Sequence, residues 1–151
     1  MKPADPPGGQ ILVFGLGEEF YGLEISRIQE VIPAPQLHYI PLAPQGLLGA
    51  LNFHGSVVPV LDLGFWLGFP DACRDPRVIV LADESCRLAL AVERIRRIVP
   101  WSEEDVITAD EGECGSRVRG LLEINGEVIN LLDVEGVTAS LNATDGGEGG
   151  P

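Results

Sequence analysis

Residues 49–63 read GALNFHGSVVPVLDL, and residues 120–134 read GLLEINGEVINLLDV. In the first stretch an apolar run enters, the chain turns at His54-Gly55, and a second apolar run leaves toward Asp62. The second stretch follows the same course: Gly49 matches Gly120, Gly55 matches Gly126, Leu61 matches Leu132 and Asp62 matches Asp133. The turn reads as Gly55-Ser56 in one copy and Asn125-Gly126-Glu127 in the other. Asn-Gly between apolar runs is a strong hairpin signal, because both residues tolerate positive φ.

Outward from the hairpins the likeness continues. Leu23-Glu24-Ile25-Ser26-Arg27-Ile28 has a counterpart in Leu90-Ala91-Val92-Glu93-Arg94-Ile95, and Ile32-Pro33 in Val99-Pro100. The halves start and finish alike, which is an internal duplication at roughly half the chain's length. Two copies are too few for a solenoid. Two small, similar β-units packed together are the natural solution, divided near residue 70 (11–70 and 71–141), with strands open to exchange between them. Each offers about five short strands, which suggests small barrels that hide their edges. Units of about 60 residues are marginal alone, so they should share an interface.

Strands are expected at Ile11–Leu16, Phe20–Leu23, Leu48–Asn52, Ser56–Leu61, Val78–Leu81 and Arg87–Val92. The spacing from Leu23 to Ile32 fits either a helical turn or a bent strand; a strand with a bulge or short turn near Glu24–Ser26 is the reading adopted. Pro33, Pro35, Pro41 and Pro44 exclude a long helix, and Gln45–Leu48 reads as one helical turn opening after Pro44. Pro59 must face an edge or a bulge, since it cannot donate to a ladder. Asp62 is expected to cap a short helix that stops at Gly68. Ser102 with Asp105 resembles a capping box inside an acidic loop, Trp101–Gly115. The segments 1–10 and 142–151, the linker 71–76 and the turn 83–85 complete the layout, both ends being expected to be disordered.

The 151 residues allow one domain or two very small ones. A net charge of −13 is wrong for binding nucleic acid phosphates and suits a soluble cytoplasmic protein. Cys73, Cys86 and Cys114 are odd in number and lack C-x-x-C spacing, which argues for reduced thiols rather than a disulfide framework or zinc site. MKPADPPGGQ lacks the apolar core of a signal peptide, and no apolar run reaches the length of a membrane span. Direct membrane insertion is therefore not expected.

His38 and His54 have no Cys or carboxylate at ligand spacing, so no metal is expected. P-loop, G-x-S-x-G and dinucleotide fingerprints are absent, and no cofactor is expected. Duplicated β-units, each with an Asp after an apolar strand, invite comparison with bilobed aspartic proteases. The Asp62-Leu63-Gly64 and Asp133-Val134-Glu135 strings lack the hydroxyl residue that chemistry uses. Helix capping is the better role for both aspartates, and no catalytic residue is assigned.

The string Gly49-x-x-Asn52-x-x-Gly55-x-Val57-Val58-Pro59-Val60-x-Asp62-Leu63 resembles the CheW-like family, the coupling proteins of bacterial chemotaxis arrays. Leu12-Val13-Phe14-x-Leu16-Gly17-x-Glu19-x-Tyr21-Gly22 resembles that family's first hairpin, Ile28–Ile32 its next strand, and Ala43-Pro44 fits the approach to Gly49. The resemblance implies an all-β fold of two similar five-stranded SH3-like β-barrels packed together, with short connecting helical turns. It implies a non-enzymatic adaptor that couples a CheA-type histidine kinase, through the kinase's regulatory domain of like fold, to the cytoplasmic tip of chemoreceptors. The chain would be a monomer in isolation, recruited into a membrane-associated array. A diffusible regulator occupying one kinase or receptor surface is the alternative.

The resemblance carries over Ile28, Glu30, Gly49, Asn52, His54 and Gly55, with Ile98 in the second unit, as partner-binding residues. Read from chemistry alone, Gly49 allows a close backbone approach, Asn52 closes the turn and Gly55 supplies positive φ. Ile28 and Ile98 read as core residues. Glu30 and His54 favour a functional reading, being polar groups beside apolar strands. His54 stands where the family commonly has Arg, and Gly64 where a basic residue is common. The resemblance also implies Glu30 as the partner of His54, since the family commonly pairs a Glu there with the turn residue.

Overall fold

The computed structural model describes residues 9–69, 74–82, 87–108 and 118–139. Among them the chain runs β1 (Gln10–Leu16), β2 (Glu19–Glu24), β3 (Ile28–Pro33), β4 (Leu47–Phe53), β5 (Ser56–Asp62), α1 (Leu63–Trp66), β6 (Arg77–Leu81), β7 (Ala89–Ala91), β8 (Arg94–Pro100), β9 (Ile107–Thr108), β10 (Val118–Ile124) and β11 (Glu127–Leu132). Residues 134–139 form α2, and 3-10 turns cover Ile25–Arg27 and Glu103–Asp105. The three cysteines, the N-terminal segment before residue 9, the turn 83–85, the tail 142–151 and parts of the linker and the acidic loop lie outside the described residues.

Both hairpins form, and they match in detail. In each, both turn residues have positive φ: His54 (51°) and Gly55 (87°) in one, Asn125 (53°) and Gly126 (83°) in the other. That is the type I′ pattern, whose twist suits two antiparallel strands. Ser56 pairs with Phe53 and belongs to β5, so the first turn is His54-Gly55 rather than Gly55-Ser56. Each entering strand carries a register shift, between Leu47 and Gly49 and between Val118 and Gly120. Each leaving strand is followed by a helix capped by an aspartate, Asp62 at the end of β5 and Asp133 just after β11. Asp62 Oδ1 accepts from Phe65 N (3.3 Å) and Asp133 Oδ1 from Gly136 N (3.1 Å).

The duplicated halves do not map onto the compact units. One unit gathers Met1–Val13, Glu19–Ile25 and Arg96–Pro151; the other gathers Phe14–Glu18 and Ser26–Ile95. The boundary thus departs from residue 70, and the parallel ladders explain why. β11 pairs in parallel with β2 (Ile129↔Phe20 to Leu131↔Gly22), and β5 pairs in parallel with β7 (Val60↔Ala89 to Asp62↔Ala91). Each half's closing strand takes a strand of the other half's opening hairpin. The sheets are ordered β8-β1-β2-β11-β10-β9 and β3-β6-β7-β5-β4. The first gains a short sixth strand because Gly120 lets β9 approach; a Cβ there would lie 2.8 Å from Ile107 O.

Alternation along the strands builds a core in each unit. Ile11, Val13, Val99, Trp101, Leu122, Ile129 and Leu131 cluster in one. Leu51, Val58, Val60, Val78, Val80, Ala89 and Ala91 cluster in the other. Full burial of such side chains contributes about 1.5–3 kcal/mol each for the larger ones.

Three local expectations change. Gln45–Leu48 is not a helical turn: Gly46 at φ +98 leaves helical space, and Leu47 already opens β4. Ser102 makes no side-chain cap; the turn after it is held by backbone bonds from Asp105 N to Ser102 O (3.0 Å) and Val106 N to Glu103 O (3.2 Å). The strand expected over Arg87–Val92 narrows to Ala89–Ala91. Pro59 sits on an interior strand, but the ladder to β7 begins only at Val60. Ser56–Pro59 therefore have β4 as their partner strand, a local edge where proline is tolerated.

Candidate functional site

Six of the seven candidate residues fall in the unit built from Phe14–Glu18 and Ser26–Ile95, and Ile98 falls in the other. Gly49, Asn52, His54 and Gly55 share the β4–β5 hairpin. Gly49 is buried and holds φ +149, and a Cβ on it would meet His38 O at 2.8 Å. Its role is backbone approach: His38 and Ala50 exchange both backbone bonds there (2.7 and 2.8 Å). Asn52 Oδ1 accepts from Gly55 N at 2.9 Å, closing the turn from the side.

That closure fixes His54 at the tip. Its ring packs edge-on against Phe53, with centroids 4.3 Å apart. Glu30 reaches it from β3, with Oε1 3.7 Å from Nε2, as the family resemblance implied. β3 and β4 are the two edges of the five-stranded sheet, so this pair bridges a gap that backbone hydrogen bonds leave open. The side chains are 76 % and 51 % exposed. A solvated pair of this kind contributes about 0–1 kcal/mol to stability, and both groups stay available to a partner.

Ile28 lies two residues before Glu30 and is half-buried, outside the described core clusters. Ile98 is 53 % exposed on β8. Neither is the core residue that apolar identity suggests.

Residues without a sequence signal complete the surroundings. Arg87 Nη1 donates to Ser56 Oγ (2.7 Å), a contact 31 residues apart in sequence. A groove of about 400 Å³ runs beside the turn, with Phe53, Val58, Val80 and Leu88 as apolar walls and Gln29 and Arg87 among its polar lining. Val57 stands exposed next to it in sequence, directly across from Asn52. Among the described residues no group of three or more His, Cys, Asp or Glu side chains is arranged to hold a metal ion. No described helix is long and apolar enough to cross a membrane.

The surface is thus a polar turn beside a groove of mixed polar and apolar lining. Residues 10–142 match the CheW-like domain family. The chain is 24 % identical to a chemotaxis protein CheW of Treponema pallidum over 87 % of its own length and 82 % of that protein's. It is 29 % identical to a chemotaxis protein CheW of Rhizobium meliloti over 88 % and 89 % respectively. Among solved structures, the scaffolding protein TtCheW of Thermoanaerobacter tengcongensis superposes with a TM-score of 0.77 at 25 % identity, covering 84 % of this chain and 89 % of that one.

Proposed function

Because the chain belongs to the CheW-like domain family, we propose that it is a coupling protein of a chemotaxis array, joining a CheA-type histidine kinase to chemoreceptors without catalysing a step itself. The kinase performs the chemistry and this chain positions it. The observation that carries the reading at the level of residues is the His54 turn. Its backbone is held by Asn52 while its polar atoms, and those of Glu30, face solvent. Binding residues are disproportionately carried on loops positioned by a rigid scaffold. Gly49, Asn52 and Gly55 act by shaping that turn, and His54 and Glu30 by touching the receptor tip. Ile98, an exposed isoleucine on a strand, suits an apolar contact with the kinase's regulatory domain. The chain works in the cytoplasm and reaches the membrane only through its partners.

The test is reconstitution. Receptor-bearing membranes, kinase and this chain are combined, and receptor-dependent kinase autophosphorylation is measured. His54→Arg makes the turn charge permanent. Receptor affinity of wild type, His54→Arg and His54→Ala is compared at one pH. His54→Ala should bind the receptor more weakly than wild type, and His54→Arg at least as tightly. Ile98→Asp should remain folded and lose about 2–4 kcal/mol of kinase binding, an unpaired charge placed in a desolvated contact. An undiminished His54→Ala together with an undiminished Ile98→Asp would exclude both residue assignments. Failure of the wild-type chain to couple kinase to receptor would exclude the function.

A further inference from the structure

The two hairpin turns share a backbone and differ in what occupies it. In the first, Asn52 Oδ1 accepts from the Gly55 N–H at 2.9 Å. The counterpart of Asn52 in the second hairpin is Glu123, which pairs with Val128 as Asn52 pairs with Val57. Its side chain is one methylene longer, and among the described residues the Gly126 N–H has no hydrogen-bond partner. The Asn125 side chain has none either among those residues. Asn125 and Gly126 are both exposed, and a Cβ on Gly126 would meet nothing within 4 Å. The other described asparagines are occupied and have bulky neighbours. Asn52 holds Gly55 and precedes Phe53; Asn130 donates from Nδ2 to Phe20 O (2.9 Å) and precedes Leu131.

We propose that Asn125-Gly126 is a site of spontaneous covalent modification, the deamidation of Asn125 through a cyclic imide. The Gly126 nitrogen gives its proton to hydroxide and attacks Asn125 Cγ. The N–Cγ bond forms, the Cγ–Nδ2 bond breaks, and the departing amide takes a proton from water and leaves as ammonia. Water then opens the ring. Cleavage at Cγ gives aspartate, and cleavage at the backbone carbonyl carbon gives isoaspartate, whose main chain runs through Cβ and Cγ. Nothing is oxidised or reduced. The attack is intramolecular, which favours it strongly once the groups meet. It needs an amide proton that is not already committed to an acceptor. Asn52 commits that proton in the first turn, and the second turn lacks the clasp. Asp-Gly suits the same type I′ geometry, so the aspartyl product keeps the hairpin. It adds a carboxylate two residues before Glu127's own neighbour strand pairing begins, beside the side chain that holds Arg96 (3.5 Å) and Arg97 (3.0 Å). The isoaspartyl product lengthens a two-residue turn, and turn length sets the register of β10 on β11. This goes beyond the coupling role and needs neither kinase nor receptor.

Ageing the purified chain at mildly alkaline pH tests it. Samples are digested and mapped by mass spectrometry, with an isoaspartyl methyltransferase as the probe for isoaspartate. Asn125 should gain the mass of amide-to-acid exchange about tenfold or more faster than Asn52 or Asn130. Glu123→Asn restores the clasp of the first turn and should slow the reaction at Asn125 about tenfold. Glu123→Asp offers an equally short acceptor, keeps the charge, and serves as the second variant. His54→Asn places Asn-Gly in the clasped turn, where residue 54 should react more slowly than Asn125 of the same chain. Circular dichroism checks that each variant is folded. An Asn125 that survives ageing, or reacts no faster than Asn52 and Asn130, overturns the proposal. So do folded Glu123→Asn and Glu123→Asp chains that age at the wild-type rate, because the open Gly126 N–H would then not be the cause. A His54→Asn chain in which residue 54 reacts as fast as Asn125 overturns it on the same ground.

Discussion

Asp75 closes the start of β6 against the start of β8, and removing its carboxylate should loosen the whole unit. Oδ1 accepts from Arg77 N (3.0 Å) and Arg77 Nε (2.9 Å), and Oδ2 from Arg77 Nη2 (2.9 Å) and Ile95 N (2.9 Å). The Arg77 side chain, by its hydrogen bonds, holds this carboxyl well below the usual carboxylate range. Burial works the other way, and the Ile95 and Arg77 N–H groups then reinforce the lowering. The Asp75 side chain is 9 % exposed while Arg77 is nearly half exposed. The ion pair itself is therefore screened and contributes at most about 1 kcal/mol. The two backbone N–H bonds to a charged acceptor contribute about 1.5 kcal/mol each at the low end of their range. Asp75→Ala should then cost about 2–4 kcal/mol, or roughly 5–15 °C in Tm for a chain of this size. The assay is urea unfolding followed by Trp66, which lies in α1 of the same unit, in a Trp101→Phe background. The pH dependence has a definite sign. Because the folded pKa is depressed, the stabilisation is complete above the unfolded carboxylate pKa near 3.9 and is lost as pH falls through the folded value. The wild type should thus lose more stability than Asp75→Asn between about pH 5 and 2. Parallel pH profiles, or an Ala variant within about 0.5 kcal/mol of wild type, would refute the reasoning.

Two glycines of the hairpin should respond differently to alanine. Gly49→Ala forces a Cβ to within 2.8 Å of His38 O and should cost about 2–3 kcal/mol, whereas Gly55→Ala meets open space and should cost only the positive-φ strain, about 1 kcal/mol, in chemical unfolding. Leu42→Gly should raise stability slightly, by about 0.5 kcal/mol in the same assay, since strain relief outweighs the added chain entropy. Cutting the chain between residues 70 and 71 should leave two fragments that show no cooperative unfolding alone and regain it when mixed, because each holds a strand that the other's closing hairpin requires.

The hairpins were legible because turn chemistry is local. Asn125-Gly126 announces positive φ, and the duplication places Gly55 in the matching turn, but the other turn residue was read as Ser56, because histidine alone does not suggest the positive φ that His54 adopts. The aspartate caps followed from the same alignment. The exchange of opening hairpins was less legible, since parallel pairing between Val60 and Ala89 leaves no periodic trace in either strand. Asp75 read as linker because its decisive partner, the Ile95 N–H, is a backbone group twenty residues away. Arg87 was missed for the same reason, its contact to Ser56 spanning the exchange. Ile98 read as core because apolar identity says nothing about which face of a strand meets solvent.

The exchange changes what the duplication means for the site. In sequence, the His54 turn belongs to the first copy. In space, two strands of its sheet, β6 and β7, and the guanidinium that braces Ser56 come from the second. Both turns hold a β-carbon at positive φ, on His54 in the first copy and on Asn125 in the second, and both residue types are enriched in that region. Of the two, His54 faces an acidic side chain across an unzipped sheet edge and borders a groove. The His54 turn is therefore the hairpin we propose for recognition, while the Asn125-Gly126 hairpin closes its sheet through β10 and β11.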